Sequence, residues 1–116
     1  MVGNKPGTPE AQPKGQPVQR YPRALFSVPL TLQYLAAGGI QIVHGISLDI
    51  SEGGIGALLQ HPLREEEAVG IEFELEGSLL RTVAIVRYSS SVRSGFEFVG
   101  LTVEEHARLA SLVGNC

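Results

Sequence analysis

The sequence predicts an all-β domain of about six strands, closed or nearly closed into a barrel, with a C-terminal α-helix. Three observations predict it. Short apolar runs with period-two alternation recur along the chain, separated by Gly, Pro and Ser turn signals. Their regular spacing favours a closed or nearly closed barrel, which removes exposed sheet edges. A helix-start signature stands only after the last of them.

Taken in order, the strands begin after a sharp shift in composition near residue 18. Residues 1–18 hold Pro6, Pro9, Pro13 and Pro17 interleaved with Gly3, Gly7 and Gly15. Such a stretch buries too little apolar area to offset its ordering entropy, so it reads as a flexible tail, with the folded domain spanning 19–116. Ala24 to Leu35 is the first strand-like run, with Pro29 marking an edge or a bulge. Ala37-Gly38-Gly39 reads as a turn. Ile40 to Ile50 alternates, with Ile40, Ile42 and His44 on one side and Gln41 and Val43 on the other, then Ile46, Leu48 and Ile50. Ile55 to Leu59 is a short apolar run after a glycine-rich loop. Val69 to Leu75 sets Ile71, Phe73 and Leu75 against Glu72, Glu74 and Glu76, as in a half-exposed strand. In Ser78 to Tyr88, Leu80, Thr82, Ala84 and Val86 alternate with Arg81, Val83, Ile85 and Arg87; Ile55 and Ile85 read as core. Ser89 to Ser94 is a polar hairpin turn, and Gly95 to Leu101 closes the strand set. Thr102-Val103-Glu104-Glu105 then forms a capping box, with Val103, Leu109 and Leu112 assigned to one helical face and Gly114 as the stop.

Composition excludes several functions. The 116 residues fit one domain, and a net charge of −3 argues against general nucleic-acid binding, DNA included. The single cysteine, Cys116, allows no internal disulfide or cysteine-based metal site, and His44, His61 and His106 have no ligand spacing. No long apolar run marks a signal peptide or a membrane span, so the expectation is a reduced, cytoplasmic protein without membrane insertion. An enzyme is disfavoured. Ser51 near Asp49 invites the idea of a nucleophile, but no histidine has a convincing spacing and no nucleophile elbow is present.

Binding chemistry concentrates in two places. Asp49, the only aspartate, lies in Asp49-Ile50-Ser51-Glu52-Gly53-Gly54 at a strand end. In an extended segment Asp49 and Ser51 project to one face, offering a carboxylate and a hydroxyl, while Gly53 and Gly54 let a ligand approach the backbone. A carboxylate can accept from both N1–H and the exocyclic amine of guanine. The competing reading is a turn stabilised by its own side chains. The second place is Gln19-Arg20-Tyr21-Pro22-Arg23, where Arg20 and Arg23 can grip phosphates or serve only as a solubilising pair at the tail junction. Arg87 and Arg93 read as solvated strand and turn residues, one of which could add positive potential beside the site. Glu65-Glu66-Glu67 reads as a solvated loop, and His44 as a packed histidine.

The conjunction of the two segments resembles the PilZ domains, whose signature is Arg-x-x-x-Arg before the first strand and Asp-x-Ser-x-x-Gly one hairpin later. The second motif is matched by Asp49, Ser51 and Gly54. Residues 81–87, Gly95-Phe96-Glu97-Phe98 and the closing helix also look like the family, so the resemblance covers about residues 19–113. It implies a six-stranded antiparallel β-barrel, a PilZ-like split barrel with a C-terminal α-helix, and a receptor for the second messenger cyclic di-GMP. The implied ligand contacts are Gln19, Arg20, Arg23, Asp49, Ser51, Gly53 and Gly54, with no other cofactor. It further implies an effector protein partner in motility, pilus or exopolysaccharide control. One departure stands out. Gln19 occupies the first arginine position of the motif, and the lost charge-assisted bond is worth about 1.5–3 kcal/mol, so a degenerate interaction module is the alternative.

Overall fold

A computed structural model of the chain describes residues 21–114. The tail reading and the positions of Gln19 and Arg20 lie outside the described residues. The strands are β1 (Ala24–Leu25), β2 (Pro29–Ala36), β3 (Gly39–Ile50), β4 (Gly54–Leu59), β5 (Ala68–Leu75), β6 (Ser78–Ser89) and β7 (Ser94–Phe98), followed by the helix α1 (Val103–Gly114). All pairings are antiparallel, in the order β3-β2-β5-β6-β7-β4, and β4 returns to β3, which closes a six-stranded barrel.

The expected first strand is split at Phe26 to Val28, ahead of Pro29. The short β1 that results pairs with the far end of β3, Ala24 opposite Ile50 and Leu25 opposite Asp49. The Ser47 hydroxyl fastens the break, accepting from the Val28 amide at 2.9 Å and donating to the Phe26 carbonyl. Turn chemistry sets the remaining registers. Glu76 (φ 50°) and Gly77 (φ 85°) make the two-residue turn between β5 and β6, with both φ values positive as a tight hairpin requires.

The interior is filled by alternate residues of every barrel strand, among them Leu30, Leu32, Val43, Ile50, Ile55, Ile71, Phe73, Leu80 and Val86. Phe73 bridges Phe26 edge-on at 5.9 Å and Phe98 in a stacked arrangement at 6.2 Å. Three expectations about facing change. Ile85 is only half-buried, on the outer side of β6, because Ala84 and Val86 take the inward positions. On β3 the expected division holds, with Val43 buried and Ile40, Ile42 and His44 facing out, so His44 is exposed and not the packed histidine the sequence suggests. That half of β3 pairs with β2 alone, since β4 begins its pairing only at Gly45. Ile46 faces out as well, whereas Ile50 faces in, so the run Ile46, Leu48, Ile50 does not share one face. A bulge at Leu48, described below, separates them.

The capping box forms as expected. The Glu105 amide donates to the Thr102 hydroxyl at 3.1 Å, and the Thr102 amide donates to Glu105 Oε1 at 2.9 Å. The buried helical face is Leu109 and Val113, with Leu112 packed beside them; Val103 is exposed. At 100° per residue, Leu109, Leu112 and Val113 fall within one 100° arc and Val103 lies outside it. Arg108 ties the helix to the barrel by donating to the Leu75 carbonyl at 2.8 Å. Leu109→Ala is expected to cost about 2–5 kcal/mol through its cavity, whereas Val103→Ala should cost under about 0.5 kcal/mol. Urea unfolding of the two variants compares these costs, and equal effects would contradict this helical face.

Candidate functional site

The site begins with two irregularities in strand pairing. Between Ser47, opposite Ala57, and Asp49, opposite Gly56, the β3–β4 register gains one residue, Leu48. Strict alternation would send Asp49 inward with Ser47, which is fully buried. The bulge reverses the parity. Ile50 enters the core, and Asp49 is turned out to the barrel rim with 20% of its side chain exposed. The second irregularity lies between Val86 and Tyr88 on β6, where Arg87 is the extra residue.

Asp49 belongs to a row that crosses four strands. Asp49 on β3 pairs with Gly56 on β4, Gly56 with Gly95 on β7, and Gly95 with Tyr88 on β6. The two central glycines leave a trough, and Arg93 lies across it. Its Nε donates to the Tyr88 hydroxyl at 2.9 Å and its Nη2 to Asp49 Oδ2 at 2.7 Å. A Cβ on Gly56 would come within 2.5 Å of Arg93 Nη2 and 2.6 Å of Asp49 Oδ1, and one on Gly95 would run into the Tyr88 ring. Glycine at these positions keeps the trough open.

Arg23 reaches the same carboxylate from the other side. The pairing of β1 with β3 carries it to the rim, where its Nη2 donates to Asp49 Oδ1 at 2.7 Å. Asp49 is thus clasped between two guanidiniums. Partial burial works to raise its pKa, but the hydrogen bonds and positive charges of Arg23 and Arg93 outweigh burial and hold the carboxyl below its ordinary value.

Ser51 plays a different part from the one its spacing implies. Its side chain is buried, and its oxygen accepts from the amides of Gly53 and Gly54, each at 3.1 Å. The hydroxyl therefore builds the turn between β3 and β4. That turn is also pinned by backbone bonds from Ser51 N to Gly54 O at 2.8 Å and from Phe98 N to Gly53 O at 2.8 Å. Tyr21 lies against Gly53, where a Cβ would stand 2.7 Å from the ring.

These groups line an open cleft of about 1040 Å³ that also takes in Glu66, Arg87, Phe96 and Glu97. Of the residues singled out from sequence, Arg23, Asp49, Ser51, Gly53 and Gly54 come together here. Arg93, weighed from sequence as a source of positive potential beside the site, joins them together with Tyr21 and Tyr88, which spacing alone did not assign, and Gly56 lies against Arg93 and Asp49. Arg93 is 44 residues from Asp49 and meets it only because β7 neighbours β4 in the closed barrel. The one signal in the sequence was an arginine just before Gly95, inside a polar hairpin turn. Arg87, read as a solvated strand residue, is paired with two carboxylates. Glu66 of the loop read as solvated accepts from Arg87 Nη1 at 2.7 Å, and Glu97 accepts from Arg87 Nε at 2.7 Å.

A carboxylate with a lowered folded pKa stabilises the protein above its unfolded pKa, ordinarily 3.8, and loses that contribution as pH falls through the folded value. Asp49→Asn should therefore be less stable than wild type at neutral pH, and the gap should shrink at about pH 3. Urea midpoints at the two pH values measure this, and an unchanged gap would show that the clasp contributes no pH-dependent stability.

Comparison with known proteins agrees with this architecture. The PilZ domain family profile matches residues 17–115. An uncharacterised protein of Aquifex aeolicus (strain VF5) is 46% identical over 63 residues, covering 50% of this chain and 31% of that protein. This chain thus spans less than two thirds of that relative's length. Among solved structures, the PilZ domain of CeSA from a cellulose-synthesizing bacterium superposes with a TM-score of 0.62 at 23% identity, over 80% of this chain and 95% of that one. The PilZ domain of YcgR from Escherichia coli with c-di-GMP gives 0.62 at 20% identity, over 85% and 91%. The inhibitor of motility of Bacillus subtilis gives 0.68 at 18% identity, over 86% of this chain and 51% of that one. With the family profile matching nearly the whole described domain, on a barrel that its structural neighbours share, the chain belongs to the PilZ domain family, a family of ligand-binding and adaptor modules rather than enzymes.

Proposed function

We propose that this chain is a receptor module for cyclic di-GMP and that the ligand is taken in the cleft around Asp49. The observation that carries this reading is the Arg23–Asp49–Arg93 clasp beside the Gly53–Gly54 turn. The ligand has two phosphates and two guanines. Guanidiniums recognise the phosphates in planar, bidentate fashion, and a carboxylate freed from one arginine accepts the N1–H and exocyclic amine of guanine. Support also comes from family membership and from the E. coli neighbour that holds c-di-GMP.

In this mechanism Ser51 acts indirectly. By taking up the Gly53 and Gly54 amides it fixes the turn and so sets the height of the rim that a base edge meets. Arg23, beside the start of β1, binds phosphate and carries the segment from Gln19 down over the ligand. Closure of that segment re-aims the residues before it and is the output, a change of surface that an effector protein reads.

Titration calorimetry tests the site. Arg23→Ala and Asp49→Ala are each expected to weaken cyclic di-GMP binding more than about tenfold, the loss of one charge-assisted bond or more. Gln19→Arg should strengthen it. An unchanged affinity in Asp49→Ala would defeat the proposed site.

A second reading is favoured by Gln19, which stands where the motif has an arginine. On that reading the barrel is an interaction module that binds the messenger weakly or not at all and acts through a protein partner. A receptor's melting temperature rises with added cyclic di-GMP, by the ordinary linkage of binding to stability. A melting curve that does not move with the ligand selects the interaction module.

A further inference from the structure

The clasp around Asp49 has an inverted counterpart in the same cleft. Arg87 is an arginine held between two carboxylates, Glu66 at 2.7 Å and Glu97 at 2.7 Å. The bulge at Arg87 re-aims its side chain into the cleft. Glu97 faces it from β7, whereas Glu66 is delivered by the loop before β5. That loop is fastened to β6 by two backbone bonds, from the Glu66 amide to the Val86 carbonyl at 2.6 Å and from the Val86 amide to the Glu67 carbonyl at 3.0 Å. Glu66 takes a φ of 68°, a left-handed conformation that a side chain bearing Cβ rarely adopts. A strained backbone position that carries a carboxylate to a guanidinium is a feature of the kind that marks functional sites.

The charges of the cleft balance. Among the described residues its lining contains three arginines, Arg23, Arg87 and Arg93, and three carboxylates, Asp49, Glu66 and Glu97. Among these residues, an anionic ligand therefore meets guanidiniums that are already paired and competes there with their resident carboxylates. The exchange is easiest at Arg87. Glu66 and Glu97 are 68% and 51% exposed, against 20% for Asp49, so water receives their released carboxylates at little cost.

We propose that Arg87 is a phosphate-binding arginine of this cleft and that Glu66 and Glu97 are resident competitors, occupying its guanidinium until a ligand phosphate displaces them. This rests on the reading of the cleft as a cyclic di-GMP site. It makes the loop before β5 part of the binding response: release of Glu66 removes one side-chain tie between that loop and β6, leaving the bond from the Leu63 amide to the Ser89 hydroxyl at 2.8 Å.

Calorimetry with cyclic di-GMP on the full chain tests the assignment, using Glu66→Gln, Arg87→Ala, the two combined, and Arg23→Ala as reference. Glu66→Gln is expected to bind about two- to fivefold more tightly, because a competitor of exposed-ion-pair strength is gone. Arg87→Ala should bind about tenfold more weakly. In the Arg87→Ala background the Glu66→Gln gain should vanish. A gain that survives there overturns the competitor role, since long-range charge alone would explain it. Arg87→Ala binding like wild type, while Arg23→Ala binds weakly, overturns the assignment of Arg87 and leaves the cleft reading intact. If wild type shows no binding, or Arg23→Ala has no effect, the receptor reading fails and this inference fails with it. Exposed Glu66 supports no core contact, so an unchanged melting temperature for Glu66→Gln separates binding from folding.

Discussion

The Asp49 carboxylate lies between two guanidiniums, and the rim of the barrel is arranged around that contact. Each component arrives by a separate route. β1 carries Arg23 along the end of β3, the β6–β7 hairpin carries Arg93, and Gly56 leaves the space in which the two ion pairs form. Residues 23, 49, 56 and 93 are neighbours because β4 joins both β3 and β7. The pairing that closes the barrel is therefore the pairing that assembles the clasp. A register slip of one residue between β3 and β4 would flip side chains to the opposite face and separate Asp49 from Gly56 and Arg93.

Bulges convert a uniform ladder into a site. An alternating strand presents every second residue to solvent and cannot place Ile50 in the core while also holding Ser47 there. The extra residue at Leu48 resolves this, and Asp49 gains the rim position as a result. The extra residue at Arg87 does the same for a cation on the opposite side of the cleft. Each bulge interrupts the ladder locally, a cost that the rest of a closed antiparallel barrel absorbs. The row of Gly56 and Gly95 between them has no side chains, so the charged groups from β3, β6 and the β6–β7 turn meet above bare backbone.

How much of this was legible in the sequence depended on how local the signal was. The capping box of Thr102 and Glu105 was, because both bonds lie within one helical turn. The strands were, because alternation survives wherever one face is buried, as Ile71, Phe73 and Leu75 show. The Asp49–Gly54 segment was recognisable as a turn, and the reading of a turn held by its own side chains holds for Ser51, while Asp49 points outward and pairs with arginines instead. The bulges were not legible, since one inserted residue leaves the local pattern intact and changes only what it faces. Arg93 and Arg87 were not, because their partners lie on other strands and an arginine in a turn looks the same paired or solvated. The outward facing of Ile40 and Ile42 follows from β3 outrunning β4, a property of strand lengths and not of the residues themselves.

Internal neutralisation has a consequence for selectivity. A cleft lined by unpaired arginines attracts any polyanion, with strength set mainly by charge. Here each of the described arginines Arg23, Arg87 and Arg93 already has a carboxylate, so at any one of them a single phosphate exchanges one charge-assisted bond for another of similar strength and gains little. A ring carrying two phosphates and two bases makes two exchanges and the base contacts while losing its translational and rotational freedom once. On the receptor reading, such a cleft ignores mononucleotides because they can make only one of these exchanges. Gln19 fits the same logic from the other side. A neutral amide takes no part in charge exchange, so the phosphates fall to the arginines that follow it in the chain. Discrimination then rests on how many resident carboxylates one molecule displaces, and much less on the total positive charge the domain carries.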